Sequence, residues 1–228
     1  MARVCVFDVN ETLLDLAALD GIFEEAFGDA AARKEWFVQV LQSAFLATIT
    51  NAYSEFGEVG AAALKMTAER RGVALTEETR QAIPAGMREL PPHPEVPESL
   101  DLLRDAGIRL AALTNNTAAV AEVQLQNAGL AGHFERVLSA DAVRRLKPAP
   151  EPYRAAAREL GVETSGVRLV AAHAWDVTGA MRAGCAAAFV ARPGMVLDPL
   201  AWPPDIVGAD LSEVATAIVA AEAGGGSG

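Results

Sequence analysis

RVCVFDVNETLLD, residues 3–15, opens with a run that is apolar at nearly every position and ends in Asp8, Asn10, Glu11 and Thr12. A strand with no polar alternation is expected where helices cover both faces of a sheet. Three later runs share this character, at residues 108–113, 167–172 and 187–191. Each is followed by a helical pattern, and the alternation predicts an α/β fold built on a doubly wound parallel sheet.

Between the first two of these runs lies a stretch far longer than one crossover, from about residue 14 to about residue 90, with only helical periodicities. Leu16, Leu19, Phe23, Ala26 and Phe27 recur at helical spacing, while residues 36–48 are apolar around most of a helix. Such a helix must pack on two things, either neighbouring helices alone or neighbours and a cleft. PPHPEVPES, residues 91–99, carries four prolines and predicts a stiff return to the sheet. The expected organisation is a core of residues 1–13 and 91–222, an inserted helical subdomain of residues 14–90, and a linker-like tail at 223–228.

At 228 residues and 51% hydrophobic, the chain can bury a substantial core. Its formal net charge of -11 argues against nucleic acid or an anionic membrane as partner. No apolar stretch reaches the roughly 18 to 20 residues of a membrane span, so a cytoplasmic protein is expected. Cys5 and Cys185 lack metal-ligand spacing and read as buried thiols, and His93 and His133 as structural or solvated groups.

In open α/β sheets ligands bind at the carboxyl ends of the strands. Those ends here deliver Asp8, then Thr114, Asn115 and Asn116, then Lys147, then His173, Trp175 and Asp176. A carboxylate ending a buried strand is costly unless its charge is stabilised, and Lys147 is the cation available for that task.

The segments FDVNETLLD, LTNNT, LKPAPEPY and AHAWDVTGA, in this order and with a helical insertion after the first, resemble the haloacid dehalogenase superfamily. More narrowly they resemble its L-2-haloacid dehalogenase (type II) family. The resemblance implies a Rossmann-like core with a helical cap, no cofactor, no metal, and dehalogenation of short (S)-2-haloacids to (R)-2-hydroxyacids. By resemblance, Asp8 is the nucleophile that forms an aspartyl ester, Thr12 orients it, Lys147 keeps it ionised, and Asp176 positions Lys147. Thr114 and Asn115 would receive the substrate carboxylate, with Asn115 near the halide. Trp175, Leu41 and Phe56 would line the substrate pocket, though Leu41 and Phe56 could equally be core of the helical insertion. The family also allows a homodimer through the cap.

Phosphatases of the superfamily carry a second Asp two residues after the nucleophile and an acidic pair that holds Mg²⁺. Here those positions hold Asn10 and, for the first acid of the pair, Ala172. A Mg²⁺-dependent phosphatase is therefore the weaker alternative, beside a carboxylate-binding homologue without catalysis. Two departures separate the chain from well-known dehalogenases. Phe37 stands where they have an Arg that binds the halide, so halide stabilisation must come from Asn115, Trp175 or an Arg elsewhere. His173 and Glu11 are the second departure, and together they form a candidate dyad for activating water.

Overall fold

The computed structural model describes residues 4–224. The chain begins with β1 (Val4–Phe7) and continues into four helices: α1 (Asp20–Phe27), α2 (Ala32–Ile49), α3 (Phe56–Arg71) and α4 (Glu77–Arg88). It returns through α5 (Val96–Asp105), β2 (Leu110–Thr114), α6 (Ala118–Asn127) and β3 (Arg136–Ser139). The remainder is α7 (Pro150–Glu159), β4 (Val167–Ala171), α8 (Ala174–Ala183), β5 (Ala186–Val190), β6 (Ile206–Gly208) and α9 (Leu211–Gly224). The strands form one parallel sheet in the order β3-β2-β1-β4-β5-β6. The doubly wound parallel sheet expected from the sequence is the observed fold.

Alternation along β1 divides the interior in two. Val4 and Val6 pack with Tyr153, Ala156 and Val177 of α7 and α8, whereas Cys5 and Phe7 pack with Val96, Leu100 and Val214 of α5 and α9. This second layer is continuous with the apolar interior of the inserted helices, including Phe23, Trp36 and Leu64. The insertion is also tied at its base. Leu14 bridges Pro92 and the Asp15 N–H donates to the Pro91 carbonyl at 2.8 Å, so the departing and returning segments lie side by side.

Several boundaries differ from expectation. Among the described residues the first strand is Val4–Phe7, so Asp8 and Val9 lie beyond its end, and Arg3 lies outside the described residues. β3 and β6 are short edge strands, partly exposed and so without the continuous apolar character of the inner strands. The proline-rich return is a linker only as far as Glu95, because Pro97 sits in the first turn of α5, where its missing N–H costs nothing. α9 extends through Gly224, so residues 223 and 224 of the expected tail end a helix, and 225–228 lie outside the described residues. α2 packs one side, with Trp36, Phe37, Val40 and Ala44 buried, and leaves the apolar residues of the opposite side, Val38, Leu46 and Ile49, exposed. Among the described residues no helix is long and apolar enough to cross a membrane.

One close approach positions the site. α8 runs so near the 147–153 segment that a Cβ on Gly179 would stand 2.6 Å from the Pro148 Cβ and 2.7 Å from the Tyr153 hydroxyl oxygen. The obstacles are a ring and a buried side chain, neither free to swing aside. Gly179→Ala should lower stability by about 2 kcal/mol, a fall in Tm of roughly 4–8 °C. Differential scanning calorimetry checks this, and an unchanged Tm would show that the contact yields easily.

Candidate active site

β1 lies between β2 and β4, at the point where the winding of the sheet reverses. Asp8 follows its last residue and is 6% exposed. Its N–H donates to the Val170 carbonyl at 3.0 Å, which anchors the carboxylate to the neighbouring strand. Lys147 Nζ, fully buried, donates to Asp8 Oδ1 at 2.8 Å, to Asp176 Oδ2 at 2.6 Å and to the Leu113 carbonyl at 2.9 Å. All three ammonium protons thus have acceptors. Thr12 Oγ1 donates to Asp8 Oδ2 at 2.8 Å and accepts the Ala172 N–H at 3.0 Å. Asp176 also accepts from the Tyr153 hydroxyl at 2.6 Å through Oδ1, so both its oxygens are engaged.

His173 precedes α8 at the capping position, yet its side chain makes no capping bond. Instead Nδ1 lies 3.2 Å from Asp8 Oδ2 and Nε2 lies 2.9 Å from Glu11 Oε2. Ionised carboxylates only accept, so an imidazole bonded to two of them must donate from both nitrogens. The resting state of His173 is therefore the imidazolium. Burial pulls its pKa down, but the hydrogen bonds and charges of Asp8 and Glu11 prevail and push it up to about 9. Burial alone would raise the Asp8 pKa, yet Lys147 and His173 together hold it well below the carboxylate range. Asp176 is pushed upward by burial and by the nearby Asp8 charge, against the pull of Lys147.

Glu11 takes a left-handed conformation, φ 61°, which non-glycine residues seldom adopt. Surrounding bonds hold it there. Arg192, a buried residue after β5, donates from Nε at 3.0 Å and Nη2 at 2.7 Å to the Thr12 carbonyl, and His93 Nε2 lies 3.3 Å from the Glu11 carbonyl. Arg33, buried on α2 one turn before Phe37, approaches Glu11 Oε1 at 3.9 Å and hydrogen-bonds Asp20.

The remaining sequence candidates divide. Asn115 Oδ1 accepts the Lys147 N–H at 2.8 Å, and Thr114 Oγ1 accepts the Asn116 N–H at 3.1 Å, which shapes the end of β2. Asn10 is turned to Gln124, whose Nε2 it accepts at 3.1 Å; Gln124 in turn accepts from Asn116. Trp175 stacks on His173 with ring centroids 5.2 Å apart, and its buried Nε1 has no partner among the described residues. The Phe37 ring lies 6.2 Å from His173. Phe37 and Phe56 border a cavity of about 520 Å³ between α2, α3, α4 and α6, whereas Leu41 packs on the core away from it. Among the described residues no group of three or more His, Cys, Asp or Glu side chains is placed to hold a metal ion.

Tyr153, Arg33, Gln124 and Arg192 had no assigned role in the sequence. Gln124 left the clearest trace, since it takes a core position beside Ala121 and Leu125 on one face of α6. Tyr153 closes the LKPAPEPY motif, but its contact with Asp176 depends on how α7 meets α8.

Fold and site define a hydrolase class, and the haloacid dehalogenase-like hydrolase profile matches residues 2–184. The chain belongs to that family and, within it, to the L-2-haloacid dehalogenases. It is 31% identical over 201 residues to the (S)-2-haloacid dehalogenase of Pseudomonas sp. (strain YL), covering 87% of each chain. It is 29% identical to haloacetate dehalogenase H-2 of Moraxella sp. (strain B), over 87% of this chain and 90% of that one. The structure of L-2-haloacid dehalogenase from Xanthobacter autotrophicus with chloropropionic acid covalently bound superposes with a TM-score of 0.89. It is 26% identical and covers 96% of this chain and 98% of its own.

The pKa of His173 has a direct consequence for stability. A pKa raised in the folded state stabilises fully below the unfolded value of 6.5 and ceases to do so as pH rises through about 9. The Tm of the protein should therefore exceed that of His173→Asn most at pH 6, by an amount on the order of 3 kcal/mol in stability, with the gap narrowing toward pH 10. Melting curves across this range check it; a constant gap would mean that His173 is not the imidazolium in the folded protein.

Proposed function

We propose that the protein is a hydrolytic dehalogenase that converts (S)-2-haloacids to (R)-2-hydroxyacids through an ester on Asp8. The observation that carries this reading is a buried carboxylate kept ionised by Lys147, in a site that offers no acid at position 10. An ionised Asp8 suits attack at carbon, and halide departs without needing a proton, whereas an alcohol leaving phosphorus does need one. The names of the relatives support the same chemistry. The phosphatase alternative fares worse, since Lys147 and Tyr153 occupy both oxygens of Asp176 and Ala172 replaces the other acid.

In the first step an Asp8 oxygen attacks C2 from the side opposite the halogen, the C–O bond forms, and halide leaves with its electron pair. In-line attack inverts C2. Thr12 and Lys147 orient the carboxylate, and Asp176 with Tyr153 holds Lys147 in place. Thr114 and Asn115 receive the substrate carboxylate. The buried Trp175 N–H, with no protein acceptor among the described residues, serves the departing halide where Phe37 supplies no charge.

Esterification removes the negative charge from Asp8 and leaves Glu11 as the sole carboxylate on His173. The imidazolium then releases the Nδ1 proton to solvent, while Glu11 retains the proton on Nε2. Water attacks the Asp8 carbonyl carbon and passes a proton to Nδ1. The tetrahedral intermediate expels the alkoxide, which takes the proton of the new carboxylic acid and leaves as the hydroxyacid. Asp8 is again a carboxylate beside an imidazolium, and each turnover yields one halide and one proton. His173 becomes a base only in the half-reaction that requires one. The inserted helices at 14–90 act as a cap that keeps bulk water from the nucleophile, and the cycle calls for no metal or cofactor.

Halide release from 2-chloropropionate, 2-bromopropionate and fluoroacetate in EDTA tests the reading, and the expected result is turnover of at least one acid without added metal. Absence of halide from all of them, with Asp8 unmodified in the mass spectrum, would sink it. His173→Ala should form the ester and then stall, appearing as a mass gain on Asp8 equal to the substrate less its halide. Normal turnover by that variant would remove His173 from the hydrolytic step.

A further inference from the structure

The cavity beside the site is larger than a short haloacid needs. Its volume is about 520 Å³, and Trp36, Val40, Leu64, Ile83 and Met87 supply much of its wall. Even at the roughly 30 Å³ that a water molecule occupies in the liquid, the six heavy atoms of a 2-halopropionate would fill only about a third of it. An apolar space of this size is within the range of pockets that enclose small organic ligands.

Two lining residues, Phe37 and Asn116, connect the cavity to the neighbourhood of the reacting groups. Phe37 is common to both, with one side on the cavity and its ring 6.2 Å from the His173 ring. Asn116 forms part of the floor, and through Gln124 it is joined to Asn10, two residues from Asp8. A ligand with its carboxylate at the end of β2 and C2 at Asp8 would extend any C2 substituent past Phe37. On that side Phe37 continues into the apolar wall formed by Trp36 and Val40.

We propose that the cavity is the site for the C2 substituent, so the preferred substrates are 2-haloacids with an apolar chain of roughly four to eight carbons rather than haloacetate or halopropionate. The inference rests on the dehalogenase reading. Phe37 takes part by offering a ring against which a methylene chain slides, where a charged side chain would oppose an apolar one. Lys65, Arg80 and Arg88 border the cavity with Glu55 as the acid, so its surroundings carry more positive than negative side chains despite the acidic whole.

Steady-state halide release by the full chain from bromoacetate and from (S)-2-bromo acids of three to ten carbons tests this. The expected result is a kcat/KM that climbs about fourfold for each methylene beyond propionate until the space is filled, and then falls. Val120→Trp and Leu64→Trp, which narrow the cavity from α6 and from α3, should cut kcat/KM for 2-bromooctanoate at least tenfold more than that for 2-bromopropionate. If one variant fails to fold, judged by its melting curve, the other carries the comparison. A kcat/KM that is flat or declining from propionate upward would overturn the cavity assignment and leave the dehalogenase reading standing. No halide from any acid of the series would overturn both.

Discussion

The ammonium of Lys147 is the interaction on which the rest depends. It is fully buried between two carboxylates, Asp8 and Asp176, with the Leu113 carbonyl as its third acceptor. Neither carboxylate could stay ionised at such depth alone, and an unpaired ammonium would be equally costly. The three groups come from the ends of different elements, β1, the loop before α7, and α8. A single charge thereby registers these elements against each other. Gly179 permits the necessary approach of α8, and Tyr153 completes the coordination of Asp176.

Around that centre the charges are graded rather than simply paired. Asp8 has two cationic neighbours, Lys147 on Oδ1 and His173 on Oδ2, and is pushed toward ionisation. His173 has two anionic neighbours and is pushed toward protonation, up to about 9. Esterifying Asp8 removes one partner from each of the two cations. Lys147 keeps Asp176, but His173 keeps only Glu11, whose own charge is shared with Arg33. In the proposed cycle the groups respond differently to the same event, and the imidazole is the one that yields its proton. The left-handed backbone at Glu11 fits this account, since strain of this kind persists where surrounding bonds over-determine it.

An overall charge of -11 gives an anionic substrate no long-range help. Recognition must therefore be local, and in the proposed reading it falls to the end of β2 and the Trp175 N–H. Phe37 joins the apolar wall of the cavity, which in the proposed reading favours the body of the substrate over its charge. Binding energy can then come from buried methylene groups, which need no electrostatic assistance.

The sequence alone indicated four apolar strand runs separated by helical patterns, and placed Asp8 and Thr114 beside two of them, with Lys147 and Asp176 further along the chain. These are local properties: apolar runs, helical periodicity and polar residues at their limits. It also determined that position 10 is an amide and position 37 a ring, and so what chemistry is missing. It did not disclose β3 and β6, whose short, partly exposed runs have no periodicity of their own. Nor could it show that His173 is bonded to two carboxylates, that Tyr153 reaches Asp176, or that Gln124 links Asn10 to Asn116. Those contacts join residues from 8 to 165 positions apart. Only the packing of helices on the sheet brings such groups within 3 Å or so, and proton affinity depends on that distance rather than on residue type. The tertiary structure thus decided the charge state of the site and the space beside it.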